Sequence, residues 1–155
     1  MADLPTPVFE IRKIYTKDIS FESPKAPAVF LENSKNPNID MQVTIARNTL
    51  DPEDYFEVVL KLTATAQVDD NPLFLIEIEQ AGVFQIKGIK NENLELALEV
   101  ASPNILLPFA REAISDLVTK GGFPQFLIAP INFESLYQQK KQTVAAAKDE
   151  NTAKH

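Results

Sequence analysis

The 155-residue chain contains no cysteine, which excludes disulfides, thiolate nucleophiles and cysteine zinc sites and suits a reducing compartment. Its one histidine is the last residue, His155, and chain ends are seldom held firmly enough for a catalytic triad or a metal site. Glycine occurs only four times, and no stretch matches a glycine-rich phosphate-binding loop. The residues that histidine-based, thiol-based and nucleotide-driven chemistry require are therefore missing.

Positive charge and long apolar runs are also scarce. Lysine and arginine number 15 against 22 aspartates and glutamates, and this net charge of −7 argues against nucleic acid or an anionic membrane as the main partner. The longest charge-free window, residues 121–133, is too short to span a bilayer. Asp3 and two prolines occupy the start, where a secretory signal has a basic end and an apolar stretch. These features predict a cytoplasmic protein, and the length suits a single domain.

Alternating apolar and polar residues predict four strands in the first half of the chain. In residues 8–22 the apolar side chains fall mainly on odd positions, with Lys13, Ile14 and Lys17 out of phase. Residues 23–38 contain three prolines and no period, which indicates a long connection. Short turns at 51–54 and 69–72 separate the other three strands, as in an antiparallel meander. The expected apolar faces are Phe9, Ile11, Tyr15, Ile19 and Phe21; Ile39, Met41, Val43 and Ile45; Phe56, Val58, Leu60, Leu62, Ala64 and Val68; and Phe74, Ile76, Ile78, Phe84 and Ile86.

The second half favours helices. Residues 94–100 alternate like a strand but consist of strong helix formers, which predicts a helix. Ser102 and Pro103 are typical of a helix start, so a longer helix is expected from there to Lys120, ending at Gly121. Its apolar residues cover about half of the circumference, more than one sheet face requires. This width indicates an oligomer interface, and the alternative is a helix buried under the loops of its own chain.

Residues 121–133 combine two glycines and two prolines with many apolar side chains and no charge. The segment is predicted to be an apolar loop, which serves either as a contact surface for another molecule or as a lid on the core. A last helix is expected to begin at Asn132, a residue type that caps helices well. Beyond Lys141 little remains to be buried, so the end is expected to fray.

Carboxylates and hydroxyls are the only remaining candidates for enzymatic chemistry. Asp18 and Glu22 share a strand face, but four residues at ~3.3 Å each separate them by about 13 Å, too far for a glycosidase carboxyl pair. Together with Glu77 and Glu79 they fall on outward strand faces. Such carboxylates are either simply solvated or form an acidic surface for a basic partner.

Three segments resemble the SecB family of bacterial protein-export chaperones: IYTKDISFE at 14–22, SPNILLPFARE at 102–112 and GGFPQFLIAPINFESLY at 121–137. The match extends from about residue 8 to residue 140. The resemblance implies an α+β fold, a four-stranded antiparallel sheet with two helices packed on it, assembled as a dimer of dimers. It also implies a cytoplasmic chaperone, not an enzyme, that needs neither ATP nor a cofactor. Such a chaperone binds unfolded secretory precursors, keeps them translocation-competent and delivers them to the SecA translocase.

The resemblance also assigns roles to residues. The client-binding residues it implies are Ile39, Met41, Val43, Phe123, Phe126, Leu127, Ile128, Leu136 and Tyr137. The residues it implies for binding the basic, zinc-bearing tail of SecA are Asp18, Glu22, Leu75 and Glu77. The expected organisation is a flexible N-terminus at 1–7, one SecB-like domain at 8–141 and a flexible tail at 142–155. The alternative is a SecB-like binding protein for another partner, a toxin–antitoxin chaperone or a small-molecule carrier without SecA coupling.

Overall fold

The computed structural model describes residues 6–32 and 36–153. Its strands are β1 (Val8–Glu22), β2 (Asn38–Thr49), β3 (Tyr55–Val68) and β4 (Asn71–Lys87), and its helices are α1 (Glu92–Leu96), α2 (Ser102–Lys120) and α3 (Phe133–Ala153). A 3₁₀ turn covers Ala28–Leu31, and a π-helical turn, Ala97–Ala101, joins α1 to α2. Residues 1–5 of the expected flexible N-terminus lie outside the described residues, as does His155.

The strands form one antiparallel sheet in the order β1-β4-β3-β2. Strands β2, β3 and β4 are the predicted meander, and their turns contain Asp54, Asp69 and Asp70 at positive φ, a conformation that aspartate tolerates better than most residues. The long first connection carries the chain from β1, beside β4, to β2 at the opposite edge. The predicted four-stranded antiparallel sheet with two helices is confirmed.

Strand β1 departs from its predicted alternation at two β-bulges, at Arg12 and at Lys17. Each bulge adds a residue without a partner on β4, so the direction of the following side chains shifts by one. The expectation that Tyr15 shares a face with Phe9 and Ile19 is therefore wrong. Tyr15 points to the other face, where its hydroxyl donates a hydrogen bond to Glu57.

The core lies between α2 and one face of the sheet, called the inner face below; the opposite face is the outer face. Helix α2 packs on β3 and β4. The core side chains that are almost fully buried are Leu60, Leu62, Ile76, Ile78, Phe84, Leu106, Ile114 and Val118. On the same helix Phe109 stays 44% exposed, so the chain itself covers only part of the wide apolar face.

The helical part is longer than predicted. Helix α1, the π-helical turn and α2 follow one another without a break from Glu92 to Lys120, so residues 94–100 are helical as predicted. Ser102 is not a helix cap, which corrects the predicted start: it lies inside the helix, and its hydroxyl donates to the carbonyl of Ala97 at 2.7 Å. The Ser-Pro pair marks a local irregularity of the backbone here. The predicted end is confirmed, with Gly122 at φ 87° just beyond it.

Helix α3 begins as predicted, since Asn132 Oδ1 accepts the amide hydrogen of Ser135 at 3.0 Å. The helix then continues to Ala153, through most of the segment expected to form a flexible tail at 142–155. Its side chains at 142–150 are exposed, and the flexibility of this segment stays a prediction. Among the described residues, no helix is both long and apolar enough to cross a membrane.

Candidate functional site

An apolar groove runs between β2 and α3. Because β2 is an edge strand and α2 packs on β3 and β4, the inner-face residues Ile39, Met41 and Val43 are only half-buried. Val43 and Leu136 line a cavity of about 240 Å³ between the strand and the helix, together with Ile45 and Tyr137. The structure thus brings together predicted client-binding residues that are more than 90 positions apart in the sequence.

The apolar loop, residues 121–132, is both a lid and an exposed surface. Phe123 packs on Phe74 with the ring centroids 5.1 Å apart, and Ile128 is only 6% exposed. Phe126 is half-buried, whereas Leu127 is 62% exposed. The lid interpretation therefore fits Phe123 and Ile128, whereas the contact-surface interpretation of the exposed Leu127 stays a prediction.

The loop and the groove share one end of the sheet. Phe74 lies opposite Ala66 of β3, which lies opposite Ile39 of β2. Phe123, which covers Phe74, therefore lies above the same row of the sheet as Ile39. By this register Phe123 and Ile39 lie at the same end of the sheet, and Met41 and Val43 follow along β2 toward the cavity that Leu136 lines.

Two exposed apolar residues next to this surface were missed by the sequence reasoning. Phe30 packs against Phe123 with the tilted rings 5.3 Å apart between centroids and is 49% exposed, and Leu31 is 88% exposed. Both lie in the 3₁₀ turn of the first connection. The sequence does contain a signal, because two adjacent large apolar residues are unusual in a proline-rich connection. The segment has no periodic pattern, so its residues were not assigned to a surface.

Charged residues line the groove at its other end, where it continues into an open cavity of about 700 Å³. Glu99 is 5% exposed and lies 3.3 Å from Lys140 Nζ and 3.8 Å from Arg47 Nε. Arg47 also bonds Glu95 at 2.8 Å, and this bond is the main reason why the pKa of Arg47 is raised. A buried carboxylate needs such partners, so the network ties α3 to β2 and to the π-helical turn. No local pattern relates these residues, because they come from three distant segments.

An acidic face, formed by Asp18, Glu22, Leu75, Glu77 and Glu79, lies on the outer face of the sheet. Asp18 is directly opposite Glu79, and Glu22 is opposite Leu75. All four residues predicted to bind SecA therefore lie on two adjacent strands and on one face.

Lys61 is the cation inside the acidic face. Its Nζ lies 2.6 Å from Glu77, and this hydrogen bond raises the pKa of Lys61, with smaller contributions from the charges of Glu79 and Asp18. Three carboxylates thus act on one ammonium group, which leaves the face acidic.

A second polar cluster on the outer face centres on Glu57. Its carboxylate accepts hydrogen bonds from Tyr15, Lys17 and Asn48. The bond from Tyr15 is the main cause of the lowered pKa of Glu57. Burial, with help from the same bond, raises the pKa of Tyr15 to about 12. The cluster links β1 to β3 across β4.

Within the described residues, no group of three or more His, Cys, Asp or Glu side chains is placed to hold a metal ion. No buried side-chain nitrogen or oxygen in this part of the chain lacks a hydrogen-bond partner.

Known proteins resemble this chain over nearly its whole length. Residues 3–144 match the family model described as Preprotein translocase subunit SecB. The protein-export protein SecB of Chromobacterium violaceum is 52% identical over 141 residues, which cover 91% of this chain and 93% of that protein. The protein of the same name from Neisseria gonorrhoeae is 45% identical over 147 residues, covering 94% and 99%.

A solved structure has the same fold. It is a SecB-like chaperone of Mycobacterium tuberculosis in complex with a ChAD peptide from the HigA1 antitoxin, with a TM-score of 0.65 and 18% identity over 80% of this chain and 91% of that one. The architecture is therefore that of the SecB-like chaperones. The chain belongs to the SecB family, and it functions as a protein-export chaperone.

Proposed function

We propose that this export chaperone binds unfolded segments of secretory precursors along the apolar groove without ATP and delivers them to SecA through the acidic face. The observation that supports this most directly is the half-buried inner face of β2, where Ile39, Met41 and Val43 form one row and Val43 lines a cavity with Leu136 of α3. A completed core would cover these side chains, so they are available to the apolar residues of a client.

The groove suits clients that have no common sequence. Unfolded chains share exposed apolar side chains and unpaired backbone groups, and broad apolar contact recognises the former. The edge position of β2 leaves backbone groups beside the groove that an extended client segment can pair with. The proposed client surface comprises Ile39, Met41, Val43, Phe123, Phe126, Leu127, Ile128, Leu136 and Tyr137, extended by Phe30 and Leu31. Tyr137, 7% exposed, contributes as a wall of the groove, and Ile128, 6% exposed, anchors the apolar loop in the core.

SecA is the proposed partner of the acidic face. Asp18, Glu22, Leu75 and Glu77 combine carboxylates with one apolar side chain on adjacent strands. A basic tail is attracted to such a face by charge complementarity, which raises association rates and selects against acidic partners. The groove follows β2 and the acidic face follows β1 and β4, so one chain can hold a client and SecA together.

The proposed assembly is a homotetramer, a dimer of dimers. Strand β1 is an edge strand, and the side of β1 away from β4 has no partner strand in the single chain. Beside it Ile11, Ile19 and Phe109 are 48%, 44% and 44% exposed. A second copy could cover these residues, and several copies would give one long client several tethered contacts, which raises its overall affinity.

The proposed location is the cytoplasm, where precursors are met before translocation. Binding alone accounts for the proposed activity, so neither an enzymatic step nor a cofactor is part of it. Nucleic acid and direct membrane insertion are likewise left out, in keeping with the net charge of −7.

A refolding experiment tests the proposed function. A denatured secretory precursor is diluted into buffer with and without the protein, in the absence of nucleotide, and recovery of native fluorescence is followed. We expect suppressed folding that saturates near one tetramer per client. Unchanged folding would refute client binding and would favour a SecB-like protein that serves another partner.

A further inference from the structure

Two polar side chains hold the bulge at Lys17 from opposite faces of the sheet. On the inner face Gln80, which is 3% exposed, donates from Nε2 to the backbone carbonyl of Tyr15 at 3.1 Å, and its Oε1 accepts from the Thr16 hydroxyl at 3.5 Å. On the outer face Glu57 accepts from the Tyr15 hydroxyl and from Lys17 Nζ, the latter at 3.0 Å. A buried amide is costly in an apolar core unless it is bonded, and here the bulge supplies its partners.

The bulge determines which face of the sheet carries the carboxylates of β1. Tyr15 is on the outer face, and regular alternation from there would put Asp18 on the inner face. The additional residue, Lys17, shifts the alternation by one, so that Asp18 lies opposite Glu79 and Glu22 opposite Leu75. The carboxylates of β1 thereby join those of β4.

We propose that Gln80 and Glu57 are positioning residues for the acidic face: they hold the Lys17 bulge and so keep Asp18 and Glu22 on the side that meets the basic partner. This inference rests on the proposed docking of SecA to that face. Gln80 is buried on the inner face, and the carboxylate of Glu57 is occupied by Tyr15, Lys17 and Asn48. Both residues therefore act through Asp18 and Glu22.

A cross-strand disulfide reports the direction of the Asp18 side chain. The natural chain has no cysteine, so Asp18→Cys with Glu79→Cys introduces one pair, directly opposite on the outer face and suited to a disulfide. Adding Gln80→Leu should lower the crosslinked fraction after a fixed oxidation time about threefold or more, because thiols on opposite faces cannot meet. The control pair Thr63→Cys with Glu77→Cys, opposite on β3 and β4, should crosslink equally with and without Gln80→Leu.

Binding of a zinc-loaded peptide with the basic SecA tail sequence tests the consequence. Asp18→Asn should weaken peptide binding about 3-fold in the otherwise natural chain. Combined with Gln80→Leu it should weaken binding less than about 1.5-fold, because a carboxylate already displaced from the acidic face no longer contributes to binding. Ser102→Ala is the matched control, because it also removes a buried side-chain hydrogen bond. Beside Ser102→Ala, the substitution Asp18→Asn should still cost the full 3-fold.

If Gln80→Leu fails to fold, Tyr15→Phe combined with Lys17→Met removes the outer-face bonds at less buried positions, and the same two effects are expected. Unchanged crosslinking together with an unchanged effect of Asp18→Asn overturns the inference. A third outcome is possible, in which Gln80→Leu abolishes crosslinking but the natural chain does not bind the peptide. That outcome upholds the positioning role and refutes the proposed docking of SecA.

Discussion

Glu77 lies at the centre of the acidic face, next to Lys61 and on the same face as Asp18 and Glu79. We expect Glu77→Lys to weaken binding of the SecA tail about 5- to 10-fold at low salt and less at physiological salt, since ions screen exposed charges. Fluorescence anisotropy of a labelled, zinc-loaded tail peptide at two ionic strengths measures this.

The matched control for Glu77→Lys is Glu53→Lys, the same change of charge in the exposed β2–β3 turn. It should leave peptide binding unchanged, and neither variant should lose client holding in the refolding assay. Equal losses of peptide binding and client holding in Glu77→Lys would contradict the assignment of the acidic face.

Glu57 makes a pH-dependent contribution to stability. Its pKa is lowered in the folded chain, chiefly by the bond from Tyr15, so the carboxylate stabilises the fold above its unfolded pKa of about 4.3 and less as pH falls through the folded value. We expect Glu57→Gln to lower the free energy of unfolding by about 1.5 kcal/mol at pH 7. Urea unfolding at pH 7 and pH 3 should show this difference shrinking in acid, whereas a constant difference would contradict the prediction.

At the scale of elements, an exposed residue of the apolar loop can be changed without affecting the stability of the fold, so its part in client binding can be tested separately. Leu127 is 62% exposed, so Leu127→Asp should leave the free energy of unfolding within about 0.5 kcal/mol while weakening client holding several-fold. Ala129→Asp adds the same charge two positions away on the same exposed loop and is the control. The refolding assay compares the variants, and equal holding by both would remove Leu127 from the client surface.

Met41 needs a separate experiment, because it packs against the buried core. Met41→Asp is expected to destabilise the fold by about 2 kcal/mol or more, since it buries part of a carboxylate. Its effect on client holding is informative only at temperatures where circular dichroism shows the variant folded. Loss of holding under those conditions would place Met41 in the groove wall.

At the scale of the whole molecule, the part of the apolar face of α2 that the chain leaves exposed is the expected contact between subunits. Phe109 and the neighbouring Ile14 and Ala113 line a cavity of about 470 Å³ beside β1. Phe109→Lys should turn the proposed tetramer into smaller species, because a buried unpaired charge is costly at an interface. Sedimentation analysis of this variant and of Asn104→Lys, at an exposed position of the same helix, checks this. A tetramer that persists in Phe109→Lys would show that another face forms the contact.

Local patterns in the sequence were enough to predict most of the fold. Alternation in residues 55–68, interrupted at Val59, together with turns on either side, predicts a strand and its buried face. Asn132 and Gly121 mark helix ends, because capping by asparagine and helix termination at glycine depend only on residues close by in the sequence. Ser102 misled the prediction because the same hydroxyl can satisfy a carbonyl inside a buried π-helical turn.

The sequence by itself determined which kinds of surface this protein has. The charge balance, the acidic strand residues, the uncharged loop and the wide apolar helix face can all be identified from the amino-acid sequence. Only the tertiary structure decided where they lie. The Lys17 bulge appears only when β1 pairs with β4, where neither Lys17 nor Arg12 has a partner, and it sets the side on which Asp18 stands. The groove likewise requires β2 and α3 to meet, and contacts between residues so far apart follow from packing of the whole chain, which no local pattern encodes.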